Sequence, residues 1–267
     1  EILDDIGIGL PATKEMKSDP KIQQYIKDHD ALCAKTFDGF KMYDMITGYG
    51  CAVGLDEGWK MLGNEKPGKV VIQGFGCVGA SMANRLDQLG YTIVGIADVN
   101  GLVECQDGLN VKKLIAGRKP KGELNPDDFE ENYIVRSNAE WLDVECDILV
   151  PAALEDVINK DNAHLVKASL VVEAANIPVT KEADAILAER GIATCVDFVT
   201  NLGGIRIYDV AVFGLVPCIP EEIVKDTESL VRRNTKKVFE KAKEENRSTR
   251  SVALEIFKPD TFDTPDI

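Results

Sequence analysis

Between residues 69 and 196, short apolar runs alternate with stretches of helical spacing. Lys69-Val70-Val71-Ile72-Gln73 is apolar through its middle and ends in glycines, the pattern of a strand buried on both faces. Residues 78–89 place apolar side chains at helical spacing and stop at Gly90, and a second apolar run over 91–97 ends at Asp98. Beyond it the pattern predicts a helix over 111–116, a strand over 146–150 ending in Pro151, and a strand over 170–173 ending in Ala174-Ala175-Asn176. A helix over 180–189 and a strand over 193–196, ending near Asp197, complete the series. Strands alternating with helices predict an α/β fold, doubly wound and Rossmann-type. Its sheet is mostly parallel, with helices on both faces.

The flanks read differently. Residues 1–40 are weakly patterned, with a helix expected around 21–32. A glycine-spaced helical pattern covers 47–62 and stops at Gly63-Asn64, ahead of Pro67-Gly68. From Pro220 onward, Ile223, Val224, Leu230, Val231, Val238, Phe239 and Ala242 recur at helical spacing through a charged segment. They predict a long amphipathic helix and, with a second over 249–257, a C-terminal helical extension. The end of the chain is polar and contains proline, as a loose tail would be.

The chemistry sits where strand gives way to helix. Gly74-Phe75-Gly76-Cys77-Val78-Gly79 fits G-x-G-x-x-G, with a strand before it and a helix after. Gly74 permits a tight turn, Gly76 lets the backbone approach a diphosphate, and Gly79 lets the helix pack on the strand. The helix start offers unpaired N–H groups and a positive dipole end to phosphate. Asp98, 19 residues beyond Gly79, ends the second strand, where a carboxylate accepts hydrogen bonds from ribose hydroxyls. A carboxylate repels a 2′-phosphate, and no Arg or Lys follows in Val99-Asn100-Gly101, so NAD is expected over NADP.

Composition narrows the field. At 267 residues, with 45% hydrophobic and 28% charged, the chain is ordinary globular material. Its 31 Lys+Arg against 45 Asp+Glu give a net charge of -14, which opposes binding to nucleic acid or anionic membranes. The basic cluster Arg232, Arg233, Lys236 and Lys237 sits in a predicted helix rich in Glu. No apolar run approaches the ~20 residues of a spanning helix, and no signal peptide is visible. Seven scattered cysteines read as buried, reduced thiols, which points to the cytoplasm, and two isolated histidines argue against a His-based metal site or triad.

Residues 69–101, KVVIQGFGCVGASMANRLDQLGYTIVGIADVNG, resemble the cofactor domain of the glutamate/leucine/phenylalanine/valine dehydrogenases. The resemblance continues through DILVPAAL (147–154), VVEAANIPVTKEAD (171–184), NLGGI (201–205) and NTKKVFEKAKEENRSTRSVA (234–253), and covers about 47–259. It implies reversible oxidative deamination of an L-amino acid, with NAD as hydride acceptor and a homo-oligomeric intact enzyme. Thr47, in TGYG, matches a threonine that approaches the nicotinamide. Ala152 and Ala153 match a loop along the cofactor, Asn176 an asparagine at the nicotinamide-side ribose, and Asn201 one near nicotinamide and substrate. Each also has a structural reading: Thr47 as a helix cap, Asn176 and Asn201 as turn residues.

Two departures stand out. Family enzymes carry glycine-flanked catalytic lysines in an N-terminal substrate domain, and no such lysine precedes Thr47. Residues 1–46 therefore read as an interdomain segment or a remnant of that domain, 47–259 as the dinucleotide-binding domain, and 260–267 as tail. Glu1 in place of Met leaves room for a preceding portion, and the chain as given is expected to bind NAD without turning over. Asp5, in DDIGIGLPATKEM (4–16), best matches the catalytic aspartate. Tyr208 stands where glutamate-specific members carry serine and branched-chain members a small apolar residue, so the substrate amino acid stays open. The alternatives are a non-catalytic NAD-binding or sensing module, or another nicotinamide enzyme with a related cofactor domain.

Overall fold

A computed structural model of the chain describes residues 20–207 and 216–258. Asp5, Tyr208 and the tail fall outside the described residues. The chain enters through α1 (Pro20–Cys33) and a small hairpin, β1 (Thr36–Phe37) and β2 (Phe40–Lys41), into α2 (Met42–Met61). Then come β3 (Lys69–Gln73), α3 (Cys77–Gln88), β4 (Thr92–Ala97), β5 (Leu102–Glu104), α4 (Val111–Ala116) and β6 (Ile134–Arg136). The second half holds β7 (Ile148–Pro151), β8 (Leu170–Val172), α5 (Lys181–Glu189), β9 (Ala193–Cys195) and α6 (Asp197–Thr200). A helical stretch over 203–207 follows, and α7 (Pro220–Glu245) and α8 (Thr249–Ile256) close the fold.

The strands from β3 onward form one seven-stranded sheet in the order β6-β5-β4-β3-β7-β8-β9. The five strands from β4 to β9 are parallel neighbours, as expected, while β5 and β6 add an antiparallel edge that the apolar pattern did not signal. Alternation along each strand divides the core in two. Val70, Ile72, Ile93, Ile96, Ile148, Val150, Leu170 and Val172 join one cluster with α2, α3 and α7. Val71, Val94, Ala97, Leu149 and Val171 join the other, with Trp141, Leu142, Ala183 and Leu187. Both faces are thus covered, one by long helices and the other by α5 and short 3₁₀ turns.

The helix expected from Thr47 begins at Met42, so Thr47 lies inside α2 and does not cap it. Lys41 at the helix start makes no side-chain cap bond, which removes the usual Ser, Thr or Asp marker. The glycine spacing of α2 has a packing cause. A Cβ at Gly48 would sit 2.1 Å from Ser81 Oγ, and one at Gly54 2.5 Å from Thr200 Cγ2. The glycines let α2 lie directly against α3 and α6, which places Thr47 near the start of α3. Thr180 and Ser248 do cap their helices, accepting from the Ala183 and Ser251 amides. The cysteines are more varied than expected: Cys51, Cys105 and Cys195 are buried, whereas Cys77 and Cys218 are exposed.

Candidate functional site

The strand order reverses between β4 and β7 on either side of β3, which opens a crevice at the carboxyl ends of the strands. Gly74 has φ +98°, a conformation that favours glycine, and a Cβ there would come within 2.8 Å of Ala153 Cβ. Gly79 packs so closely that a Cβ would lie 2.0 Å from Gly74 O. Gly76 is different: its backbone is extended, and a Cβ there would meet nothing within 4 Å. Open space therefore lies over the start of α3, where Gly76 is the N-cap and Cys77 and Val78 are the first helical residues. Phe75 points into the core at 1% exposure, while Cys77 is exposed, its Sγ 3.4 Å from Asp44 Oδ1.

A cavity of about 660 Å³ runs from this turn across the ends of β7 and β8. It gathers Thr47, Val78, Ala152, Ala153, Asn176 and Asn201 from segments far apart in the chain. Ala152 N donates to Gln73 O at 2.7 Å, which fixes the 152–153 shelf beside the glycine turn. Asn201 Nδ2 donates to Asn176 Oδ1 at 2.7 Å, joining the ends of β8 and α6. Thr47 Oγ1 accepts from Gly204 N at 3.1 Å. Gly203 and Gly204 do not form a free turn: a Cβ at Gly203 would sit 2.6 Å from Ile46 O, so the 203–207 helical stretch rests on α2.

Sequence reasoning missed the rest of this rim. Tyr43, one helical turn before Thr47, shares its face and lines the cavity, a relation that i,i+4 spacing would have revealed had the helix start been legible. Tyr43, Leu154 and Ile205, all lining this cavity, are more than half exposed, a run of apolar side chains around one opening.

Asp98 lies apart from this cleft and lines a neighbouring cavity of about 280 Å³. Its carboxylate is already engaged: Oδ1 accepts from Asn100 N (2.7 Å) and Gly101 N (3.0 Å), and Oδ2 from Leu124 N (2.7 Å). Val99 is 76% exposed beside it. Asp98 thus holds its own loop and a second one, at 117–124, against the glycine turn. That second loop brings Arg118 to the glycine turn and Lys119 to the cavity that Asp98 lines, two basic residues the sequence reading did not single out.

Beneath the cleft, Glu173 is fully buried and pairs with Arg250 of α8, which also holds Asp184 at 2.8 Å. Glu173 accepts from Asp197 N at 3.0 Å, and Asp197 Oδ2 accepts from Ile177 N at 2.8 Å. Ile177, at φ +48°, is held in the left-handed region beside Asn176 by this chain of bonds. Burial pushes the Glu173 carboxyl up to about 7, with Arg250 pulling the other way. No group of metal-ligating residues occurs among the described residues.

Residues 39–257 match the Glutamate/Leucine/Phenylalanine/Valine dehydrogenase family. The chain belongs to that family. It is 42% identical over 165 residues to the NAD-specific glutamate dehydrogenase of Staphylococcus aureus, covering 61% of this chain and 39% of that protein. To the NADP-specific glutamate dehydrogenase of Saccharolobus shibatae it is 40% identical over 168 residues, 62% of this chain and 38% of that protein. The solved hetero-hexameric glutamate dehydrogenase from Thermus thermophilus aligns with a TM-score of 0.65 at 28% identity, over 82% of this chain and 51% of that one. The chain thus spans about two fifths of the length of the first two of these dehydrogenases.

Proposed function

We propose that this chain is the dinucleotide-binding half of an NAD-dependent amino-acid dehydrogenase, which deaminates an L-amino acid to a 2-oxo acid by hydride transfer to NAD. The observation that carries the reading is the glycine turn. Two of its glycines are filled by packing, and the third, Gly76, faces open space at a helix start beside a cleft of cofactor size. That open cradle fits a diphosphate, and the residues present suit the group.

In this reading the N–H groups of Gly76, Cys77 and Val78 hold the diphosphate, with Gly74, Phe75 and Gly79 shaping the turn. Asp98 and Val99 border the adenosine ribose. Ala152 and Ala153 support the cofactor's middle. Thr47, Asn176 and Asn201 face the nicotinamide side, their side chains oriented by the bonds to Gly204 and to one another. NAD, when bound, supplies the hydride acceptor. The chain's part is to orient the ring and to cover one side of the reacting atoms. Asp5, as proton shuttle, and Tyr208, toward the substrate side chain, complete the assignment from the sequence.

The two relatives differ in named cofactor at almost equal identity, so overall similarity does not separate NAD from NADP. The acidic Asp98 supports NAD. The division into a segment over 1–46 and a cofactor domain over 47–259 belongs to the same proposal. The exposed apolar rim of Tyr43, Leu154 and Ile205 supports an opposing domain closing over it. An oligomer is the assembly this reading favours, given the hetero-hexameric solved neighbour; that all its subunits are copies of this chain rests on the sequence resemblance alone. No helix among the described residues is long and apolar enough to cross a membrane, and seven unpaired cysteines favour a reducing compartment such as the cytoplasm.

The test has two arms. Calorimetric titration of residues 1–267 should show saturable NAD binding. The longest chain the source encodes, assayed with a panel of amino acids, should form NADH. Binding without turnover on any amino acid would favour the non-catalytic module, and no binding would remove the cofactor reading altogether.

A further inference from the structure

We propose that the 117–124 loop is a diphosphate clamp in which Arg118 neutralises the cofactor's phosphates where they rest on the glycine turn. The inference deepens the cofactor reading above and rests on it.

The loop is built to reach that turn. Gly122, at φ +86°, nests against Gly76: a Cβ on it would lie 2.8 Å from Gly76 Cα and 3.0 Å from Phe75 O. Both the conformation and the contact favour glycine at this position. The loop closes on itself through Gly122 N to Lys119 O and Lys119 N to Glu123 O, each 2.9 Å. Its far end is tied down by Leu124 N on Asp98 Oδ2 at 2.7 Å. It therefore bridges the two ends of the dinucleotide motif, the glycine turn and the acidic residue.

Held this way, Arg118 donates from Nη1 to Phe75 O at 3.3 Å and faces the Cys77 thiol, which begins α3. One edge of its guanidinium fork is anchored on the turn itself. A planar, permanently charged fork suits phosphate oxygens better than a point charge does. The electrostatic need is local as well as global. The chain carries a net charge of -14, and Asp44 also sits beside Cys77, its Oδ1 3.4 Å from Sγ. A dianionic diphosphate over Gly76 would lie close to that carboxylate as well as to the helix N–H groups. Arg118 supplies the missing positive charge, 43 residues away in sequence from the carbonyl it grips.

The experiment compares wild type, Arg118→Gln and Arg118→Lys in the 1–267 chain. Dissociation constants for NAD, ADP and adenosine are measured across a salt series, with adenosine read by competition. Arg118→Gln should weaken NAD and ADP about tenfold, the loss of one charge-assisted hydrogen bond, and leave adenosine unchanged. It should also flatten the salt dependence of NAD binding, and Arg118→Lys should fall between the two. Unchanged NAD and ADP affinity in Arg118→Gln overturns the clamp while leaving the cofactor reading intact. Equal weakening of NAD, ADP and adenosine also overturns it, because it shows that the loop acts through packing alone. Failure of the wild-type chain to bind NAD overturns both.

Discussion

A single methyl group at two neighbouring glycines should have opposite consequences. Gly76 has φ −68° and ψ −162°, which alanine adopts without strain, and its Cβ would touch nothing within 4 Å. Gly76→Ala should therefore keep or raise stability, by about 0.4–1 kcal/mol through the unfolded state. If a diphosphate occupies that open space, the methyl group lifts it off the helix N–H groups. Losing one or two charge-assisted hydrogen bonds of about 1.5–3 kcal/mol each weakens NAD at least tenfold. Gly79→Ala places the same methyl 2.0 Å from Gly74 O, so strand and helix must part. Overpacking of this kind costs about 1–3 kcal/mol, or several degrees in Tm. Thermal unfolding followed by circular dichroism, with calorimetric NAD titration on the same samples, reads both effects. Unchanged NAD affinity in Gly76→Ala would refute the placement of the diphosphate. A Tm in Gly79→Ala no lower than wild type would refute the packing argument.

The wild-type chain should bind NAD more tightly than NADP, and Asp98→Ser should narrow the gap; equal wild-type affinities would sink this. Because Asp98 accepts from three backbone amides, the same variant should also lower Tm. Burial raises the Glu173 carboxyl from its ordinary 4.5 to about 7 in the folded chain, against the pull of Arg250. The folded state then holds more protons over that window, so this group makes stability fall as pH rises from about 4.5 to 7. Glu173→Gln should flatten that part of a Tm–pH profile whatever its absolute Tm, and an unaltered slope would show that Glu173 ionises at its ordinary value. Thr47→Val removes the acceptor for Gly204 N and should cost about 1 kcal/mol in chemical denaturation while weakening NAD. Residues 1–267 alone should give no NADH above background with common amino acids, and robust turnover would show that the catalytic half is misassigned.

Much of this molecule is local. The run Lys69–Gln73, the glycine turn and the helix behind it are specified by residues that touch one another along the chain. Helix Val111–Ala116 likewise falls where its periodicity predicts. Apolar side chains on successive residues demand burial on both faces, and a glycine turn between strand and helix leaves few backbone options. Signals that are short or weakly buried were lost. β5 and β6 have three residues each, too few to show a period, and Ile134 and Val135 on β6 are more than half exposed, so no buried face marks that strand. The start of α2 was lost because Lys41 offers no capping side chain.

The candidate site divides along the same line. Gly74, Gly76 and Gly79 were legible because their roles depend on near neighbours. Which groups orient Thr47, Asn176 and Asn201 was not, since Gly204 lies 157 residues from Thr47, and Asn201 lies 25 from Asn176. The Leu124 amide on Asp98, the pairing of Glu173 with Arg250 and the arrival of Arg118 at Phe75 were equally out of reach. A hydrogen bond or ion pair needs its two partners within about 3 Å. For residues this far apart along the chain, that proximity is created only when the sheet assembles and brings its strand ends to one edge.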